Sequence, residues 1–309
     1  MFSSKKGVAA LSITSNATLV VLKLTVGLTI GSVSVISEAI HSSIDLLAAT
    51  MAFFAVRAAA KPPDDEHLFG HGKAENLSGA VEAVLIFLAA IMIIYEAVQK
   101  LMHGVNLESV DLGIVVMGVS AIANTFVSRQ LMRVAKATES MALEADAWHL
   151  TTDVLTSLGV TVGLVVVRLT GLTVLDPIIA IAVALFICRT AFDITRRSIR
   201  DLLDTSLPAD EQALIREVLD KHKSDMVGYH EIRSRKSGSE RHVDLHLVMN
   251  RNVTVQQSHD LCDHLESDLK DALGSLTLNI HVEPCALDCE TCESDSEQDG
   301  TPSAGEKAS

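Results

Sequence analysis

Long apolar runs fill the first two thirds of the chain, and polar residues gather in the connections between them. Six of these runs approach the ~20 residues that a helix needs to cross the hydrocarbon core of a bilayer. Glycine, alanine, serine and threonine recur within the runs, as is typical of helices that pack closely in lipid. The pattern predicts six transmembrane helices, at about residues 8–30, 33–57, 77–101, 110–134, 141–169 and 174–198.

The pattern changes after Asp204, and Pro208 marks a boundary. Two helical and three alternating segments follow in the order α-β-β-α-β, which predicts a small cytosolic α+β sandwich resembling metallochaperone domains. The domains expected are thus a six-helix membrane domain (1–203), an α+β domain (204–286) and a disordered acidic tail (287–309). The predicted soluble elements are helices at Asp210–His222 and Val255–Leu273, and strands at Gly228–Arg235, Arg241–Met249 and Leu276–Val282.

Composition supports a membrane protein and excludes one class of partner. With 48% hydrophobic residues in 309 and a mean hydropathy of +0.32, the chain is more apolar than an ordinary soluble domain. The net charge of −14 argues against nucleic acid as a partner, because phosphate binding requires clustered lysine and arginine. The five cysteines are odd in number and three crowd the tail, which suits a reducing cytosol better than a disulfide framework.

The distribution of basic residues predicts the orientation in the membrane. The first apolar run continues too far for a cleaved signal peptide, so we expect it to be retained as a helix. The opposite connections carry little beyond Lys100 and Arg168. By the positive-inside rule both termini are therefore cytoplasmic. The basic residues on the predicted cytoplasmic side are Lys5, Lys6, Arg57, Lys61, Lys73, Arg129, Arg133, Lys136, Arg196, Arg197 and Arg200.

Two short motifs place ionisable side chains inside predicted spans. His41 and Asp45 lie four residues apart in the second span, and His149 and Asp153 repeat the spacing in the fifth. Such spacing puts both side chains on one helix face, and ionisable groups at membrane depth commonly mark an ion path or a proton relay. Two imidazoles and two carboxylates suit a divalent transition metal such as zinc. The motifs indicate a metal-ion transporter.

Other interpretations of these motifs remain open at this point. A single membrane histidine can simply hydrogen-bond to a neighbouring helix. An intramembrane metalloprotease would need an H-E-x-x-H motif or another general base beside the metal, and the sequence contains no H-E-x-x-H. In a metal sensor or scaffold with little transport, we would expect one or more of these four ligands, here called the quartet, to be replaced. All four are present. We expect no enzymatic activity.

Six spans, the paired motifs and a cytosolic α+β domain resemble the cation diffusion facilitator family. The likeness runs from about Ser12 to Cys285 and includes the run Phe-Gly-His-Gly-Lys-Ala-Glu at Phe69–Glu75, which is similar to the family's loop after the second span. The resemblance implies a homodimeric antiporter of the bacterial inner membrane that exports a divalent metal in exchange for protons. It also implies that His41, Asp45, His149 and Asp153 form the transport site.

The resemblance also bears on the metal. A histidine at the first position of the second-helix motif, as at His41, is similar to the zinc-preferring type. Iron-, cobalt-, cadmium- or manganese-handling relatives stay open as alternatives. Zinc binding requires neutral imidazole and ionised carboxylate, so protons compete for the same atoms. We expect His41 and His149 to be the principal proton carriers.

Two further clusters match positions that bind metal in the family. Asp64, His67 and His71 follow the second span, and their spacing puts them on one face if this loop is helical; the alternative is a solvated polar loop. In the α+β domain Glu283 departs from the aspartate that some members use as a bridging ligand. The residues that match the cytosolic cluster are His230, His246, His259, His281 and Glu283.

Several other polar residues carry weaker predictions. Lys73 and Asp204 match a family pair that forms an ion-pair interlock, although exposed pairs contribute little to stability. Lys23 lies inside the first span, where its side chain could snorkel, and Glu38 is charged near the second motif. A possible tail site for a soft metal is formed by Cys285, Cys289 and Cys292, which is weaker than a paired CxxC motif.

Overall fold

A computed structural model of the chain describes residues 4–30, 33–103, 111–172 and 174–285. The chain divides into two compact units, with the main division between Leu203 and Asp204 and the short segment Ser237–Ser239 assigned to the first unit. The first unit is helical. The second contains a three-stranded sheet and two helices.

In the part of the chain that the structure describes, six long helices form the first unit, as the hydropathy pattern predicts, and α+β structure follows as the order of shorter elements predicts. Among the described residues, four stretches are long and apolar enough to cross a membrane: Lys5–Thr29, Glu38–Ala59, Lys73–Met102 and Leu175–Leu202. The helices of this unit are α1 (Lys5–Ile30), α2 (Val33–Ala59), α3 (Lys73–His103), α4 (Asp111–Thr138), α5 (Met141–Thr170) and α6 (Leu175–Leu202).

Helix α5 lies between two apolar clusters. On one side Leu143 and Leu150 pack with Val8 of α1, Val56 of α2 and Leu131 of α4. On the other side Ala145 packs with side chains of α3 and α6, and Trp148 contacts both clusters formed there. Since alanines lie on both faces, neighbouring helices approach α5 closely. This central position brings the polar residues of α5 into contact with those of α2.

The second unit is a sheet covered on one face by its helices. Strand β2 (Glu240–Met249) lies between β1 (Gly228–Ser237) and β3 (Leu276–Pro284), and β2 pairs with β3 in parallel. A parallel pair requires a crossover, here α8 (Val255–Leu273), whose N-terminus is closed by a capping box between Thr254 and Gln257.

Alternation along the strands separates an apolar face from a polar one. On β2, Val243, Leu245, Leu247 and Met249 are buried against α8 and α7 (Ala209–Lys221). The next positions along the strand point to the opposite face. His246 is one of these, and it pairs in register with His281 of β3. The fold therefore places both imidazoles on the face that the helices leave open.

Candidate metal-transport site

The two His-x-x-x-Asp motifs meet between α2 and α5. His149 Nε2 lies 3.1 Å from Asp45 Oδ1, and His41 Nε2 lies 3.9 Å from Asp45 Oδ1 and 4.0 Å from Asp153 Oδ1. Asp45, His149 and Asp153 each offer a ligand atom within 4.8 Å of the others. Asp45, His149 and Asp153 thus form a close group contributed by two helices, and His41 lies at its edge, within 4.0 Å of both aspartates.

These separations suit a small tetrahedral ion. Ligands of tetrahedral zinc lie about 2.0–2.2 Å from the metal, so neighbouring ligand atoms are roughly 3.3–3.6 Å apart. The three separations of 3.1, 3.9 and 4.0 Å bracket that value. Rotations of the His41 and Asp153 side chains would close the remaining gap, because these two lie on the more exposed side.

Burial is uneven across the quartet. Asp45 and His149 are buried, at 4% and 6% exposure, whereas the His41 side chain is 52% exposed. A cavity of about 80 Å³ adjoins the ligands and has room for several water molecules. It gives an ion space to enter beside His41. Its lining includes Lys23, Glu38, His41, Asp45, Ser120, Asn124, Asp153, Thr156 and Ser157.

Lys23 does not snorkel. Its ammonium group is buried, lies 3.1 Å from Glu38 Oε2 and donates to Ser42 Oγ at 2.8 Å. Burial of a charge inside a membrane protein requires a partner of opposite sign, and Glu38 supplies it. Spacing alone does not reveal this pair, because its members lie on α1 and α2; the detectable signal is an ionisable residue within each apolar run.

Asp64, His67 and His71 converge in the loop between α2 and α3. His67 Nδ1 lies 3.4 Å from Asp64 Oδ1, and His71 Nε2 lies 3.2 Å from Asp64 Oδ2. The segment is a turn and not a helix: the N–H groups of His67 and Glu66 donate to Asp64 Oδ1 at 2.8 and 3.2 Å. The His67 bond lowers the pKa of Asp64 despite opposing desolvation, so the carboxylate is ionised and available to a cation.

A third cluster lies on the open face of the sheet. Glu283 bridges it: one oxygen lies 3.1 Å from His230 Nε2, and the other lies 2.9 Å from His246 Nδ1 and 3.6 Å from His281 Nε2. Desolvation raises the pKa of Glu283, but the hydrogen bonds from His246 and His230 outweigh it and lower the pKa. His230, His246 and Glu283 can hold one metal ion together.

The fifth residue of the predicted cytosolic cluster lies elsewhere. His259 is on α8, with a side chain 68% exposed, and its imidazole lies 3.8 Å from Asp263 one turn along the helix. Its partner is therefore local, and its participation in metal binding with Glu283 stays a prediction.

The remaining predicted residues are only partly placed. Cys285 is buried, while Cys289 and Cys292 lie outside the described residues. Lys73 Nζ donates to the carbonyl of Leu202 at 3.3 Å. Asp204 lies 3.4 Å from Arg235. The tail site and the interlock between Lys73 and Asp204 stay predictions.

Comparison with known proteins places these features in a family context. Residues 9–203 match the cation efflux transmembrane domain, and residues 207–285 match the cytoplasmic domain of cation efflux proteins. An uncharacterised transporter of Synechocystis sp., sll1263, is 36% identical over 276 residues, or 89% of each chain. The cation-efflux pump FieF of Cronobacter sakazakii is 31% identical over 281 residues, or 90% of this chain and 93% of the relative.

A solved structure of the zinc form of CzrB, described as a putative zinc transporter, is also similar in sequence. It is 34% identical, covers 26% of this chain and 90% of its own, and superposes with a TM-score of 0.25.

Proposed function

Because the chain belongs to the cation efflux, or cation diffusion facilitator, family of membrane transporters, we propose that it exports zinc from the cytoplasm in exchange for protons. The observation that carries this proposal is the convergence of Asp45, His149, Asp153 and His41 between α2 and α5. Two nitrogen and two oxygen ligands favour zinc over harder ions such as manganese.

Proton exchange follows from the chemistry of the ligands. A metal ion binds neutral imidazole and ionised carboxylate, so metal binding releases protons and acid displaces metal. The short contact of 3.1 Å between His149 and Asp45 is the interaction that a proton would stabilise when metal is absent. A site that opens alternately to the two sides would load zinc from a neutral cytoplasm and lose it to protons outside.

The setting of the site is part of the proposal. Positive residues near the ends of the helices favour cytoplasmic termini, and a bacterial inner membrane supplies the proton gradient. The cytoplasmic domain match supports a homodimer joined through the second unit, in which the Glu283 cluster would respond to cytoplasmic metal. Iron, cobalt, cadmium or manganese is the alternative cargo, and a sensor with little transport is the alternative function.

The test is metal uptake into inside-out vesicles that contain the purified protein, across an imposed pH gradient. Zinc, iron, cobalt, cadmium and manganese are compared for the wild type and Asp153→Ala. Asp176→Asn is the matched control: Asp176 is 5% exposed and pairs with Lys100 at 3.7 Å, apart from the quartet.

We expect gradient-dependent zinc uptake that Asp153→Ala abolishes and Asp176→Asn retains. Uptake of another metal but not zinc would overturn the choice of cargo and leave the exchange mechanism intact. Tight zinc binding without uptake of any metal would favour the sensor.

A further inference from the structure

Two fully buried carboxylates in the helical unit are not accounted for by the metal site. Glu82 of α3 and Asp146 of α5 both have 0% exposure. Neither belongs to a group of described residues able to hold a metal ion. The ion pair of His149 is with Asp45 and not with either of them. Their neighbours in the chain, Ala83 and Ala145, pack in one apolar cluster, so the two carboxylates, here called the acidic pair, lie in the same region between α3 and α5.

Most of the carboxylate oxygens of this pair lack a hydrogen-bond donor among the described residues. Ser78 Oγ donates to Glu82 Oε1 at 3.2 Å, but Glu82 Oε2 and both oxygens of Asp146 have none. The Ser12 hydroxyl of α1 faces Asp146 without forming a hydrogen bond of normal geometry. Because a buried unpaired charge costs several kcal/mol, two ionised carboxylates here would be strongly unfavourable.

The pair is within electrostatic range of the transport site. Glu82 and Asp146 repel each other, and the imidazole of His149 attracts both. Asp45 of α2 and Asp153 of α5 add further repulsion on Asp146. On α6, Arg197 pairs with Glu144 at 2.6 Å, and Asp201 accepts a hydrogen bond from Asn76 at 2.9 Å.

We infer that Glu82 and Asp146 together hold one proton, on either carboxylate, when the transport site is empty, and that arrival of the metal at the quartet expels this proton. The inference rests on the proposed exchange of metal for protons. One carboxyl O–H bond breaks as the metal binds, and the carboxylate left behind is stabilised by the divalent charge nearby.

Polar side chains on α3 give the proton a route away from the pair. Glu75, Ser78 and Glu82 follow one face of the helix at spacings of three and four. The Glu75 carboxylate accepts from Lys5 at 2.8 Å and from Ser140. This line of side chains connects the pair with the end of the unit at which α3 begins, the predicted cytoplasmic end.

The experiment counts protons released per zinc bound, with a pH dye in weakly buffered detergent solution. A background carrying Asp64→Asn and Glu283→Gln removes the loop and sheet clusters, so that zinc reports on the quartet. Four variants are made in this background: Glu82→Gln, Asp146→Asn, the double substitution, and the control Glu96→Gln at an exposed position of α3.

We expect the double variant to bind zinc at the quartet and to release about one proton fewer per zinc than the background, because the proton of the acidic pair is absent. The control should release the full number. An unchanged proton count in the double variant would overturn the inference. If the background itself releases no protons on binding zinc and exchanges none in vesicles, the proposed function fails instead.

Infrared spectroscopy of the unaltered quartet and pair provides a test that does not require the double variant to fold. Metal-free protein should show the C=O stretch of a protonated carboxylic acid, and this band should disappear when zinc is added. Loss of the same band in Glu82→Gln or Asp146→Asn would assign it to the pair. A metal-free spectrum without such a band would refute a proton on the acidic pair.

Discussion

Asp45→Asn is the substitution that tests the transport site most directly. The Asp45 carboxylate is 4% exposed, and its Oδ1 atom lies within 4 Å of one nitrogen each of His41 and His149. Asparagine keeps the shape of the side chain but removes its negative charge. The substitution therefore changes ligand chemistry with little effect on packing.

The expected loss of affinity can be estimated per ligand. Four-ligand structural zinc sites bind with about 10–16 kcal/mol, so an equal share is roughly 2.5–4 kcal/mol for each ligand. Because about 1.4 kcal/mol corresponds to tenfold in affinity, complete loss of one ligand weakens binding by about 10²–10³-fold. The amide oxygen of asparagine can still contact the metal, so we expect a loss near about 10²-fold.

The assay is competition for zinc against a coloured chelator at neutral pH, in the background that lacks the loop and sheet clusters. Asp176→Asn is the matched control, since it removes an equally buried carboxylate charge from α6. Unchanged affinity in Asp45→Asn would refute the assignment of the quartet. An equal loss in both variants would show that disturbed helix packing, and not ligand removal, explains the effect.

Three further predictions concern other parts of the chain. His41→Asp should lower the ratio of zinc to manganese affinity by about tenfold or more, because it replaces a nitrogen ligand with oxygen; parallel titrations measure the ratio, and an unchanged ratio would contradict a ligand role for His41. Glu283→Gln should remove one bound zinc per chain by elemental analysis while vesicle transport through the quartet persists; full zinc content would exclude Glu283 as the bridge. Leu265→Ala should lower the free energy of unfolding of the second unit by about 2–5 kcal/mol, because Leu265 is fully buried. The control Val255→Ala, at a position 86% exposed, should change that free energy by less than about 0.5 kcal/mol in denaturant titrations. Equal effects would argue against the assigned core.

Hydropathy predicts the six helices well because membrane spans must be long and apolar. It places their ends less well. The sixth apolar run ends near residue 198, yet α6 continues to Leu202. The last turns are polar on the outer side, and Arg197 pairs with Glu144 of α5 there. Contacts with neighbouring helices stabilise an amphipathic extension of this kind, and the average hydropathy of a sequence segment carries no information on those contacts.

The candidate sites also differ in how much of each can be predicted from the sequence. His41 and Asp45 are predictable because one helix turn relates them, and the repeat at His149 identifies their partners. The turn around Asp64 arises from backbone N–H groups donating to its carboxylate. The helical spacing of Asp64, His67 and His71 therefore predicts that the three side chains come together, but it does not predict the turn that brings them together. Glu82 lies on α3 and Asp146 on α5, and only the three-dimensional packing reveals that both carboxylates are buried in the same region.

The parallel pairing of β2 with β3 has a consequence for how the protein is made. Synthesis proceeds from the N-terminus, and domains generally fold as units while the chain emerges. His230 and His246 emerge first, whereas Glu283 lies on β3, which is synthesised after β2 and the crossover helix α8 and can join the sheet only then. A ribosome stalled before Leu276 would hold a chain whose six membrane helices are complete and whose sheet cluster still lacks its bridging carboxylate. Metal bound at that cluster would therefore mark chains whose translation has passed Glu283.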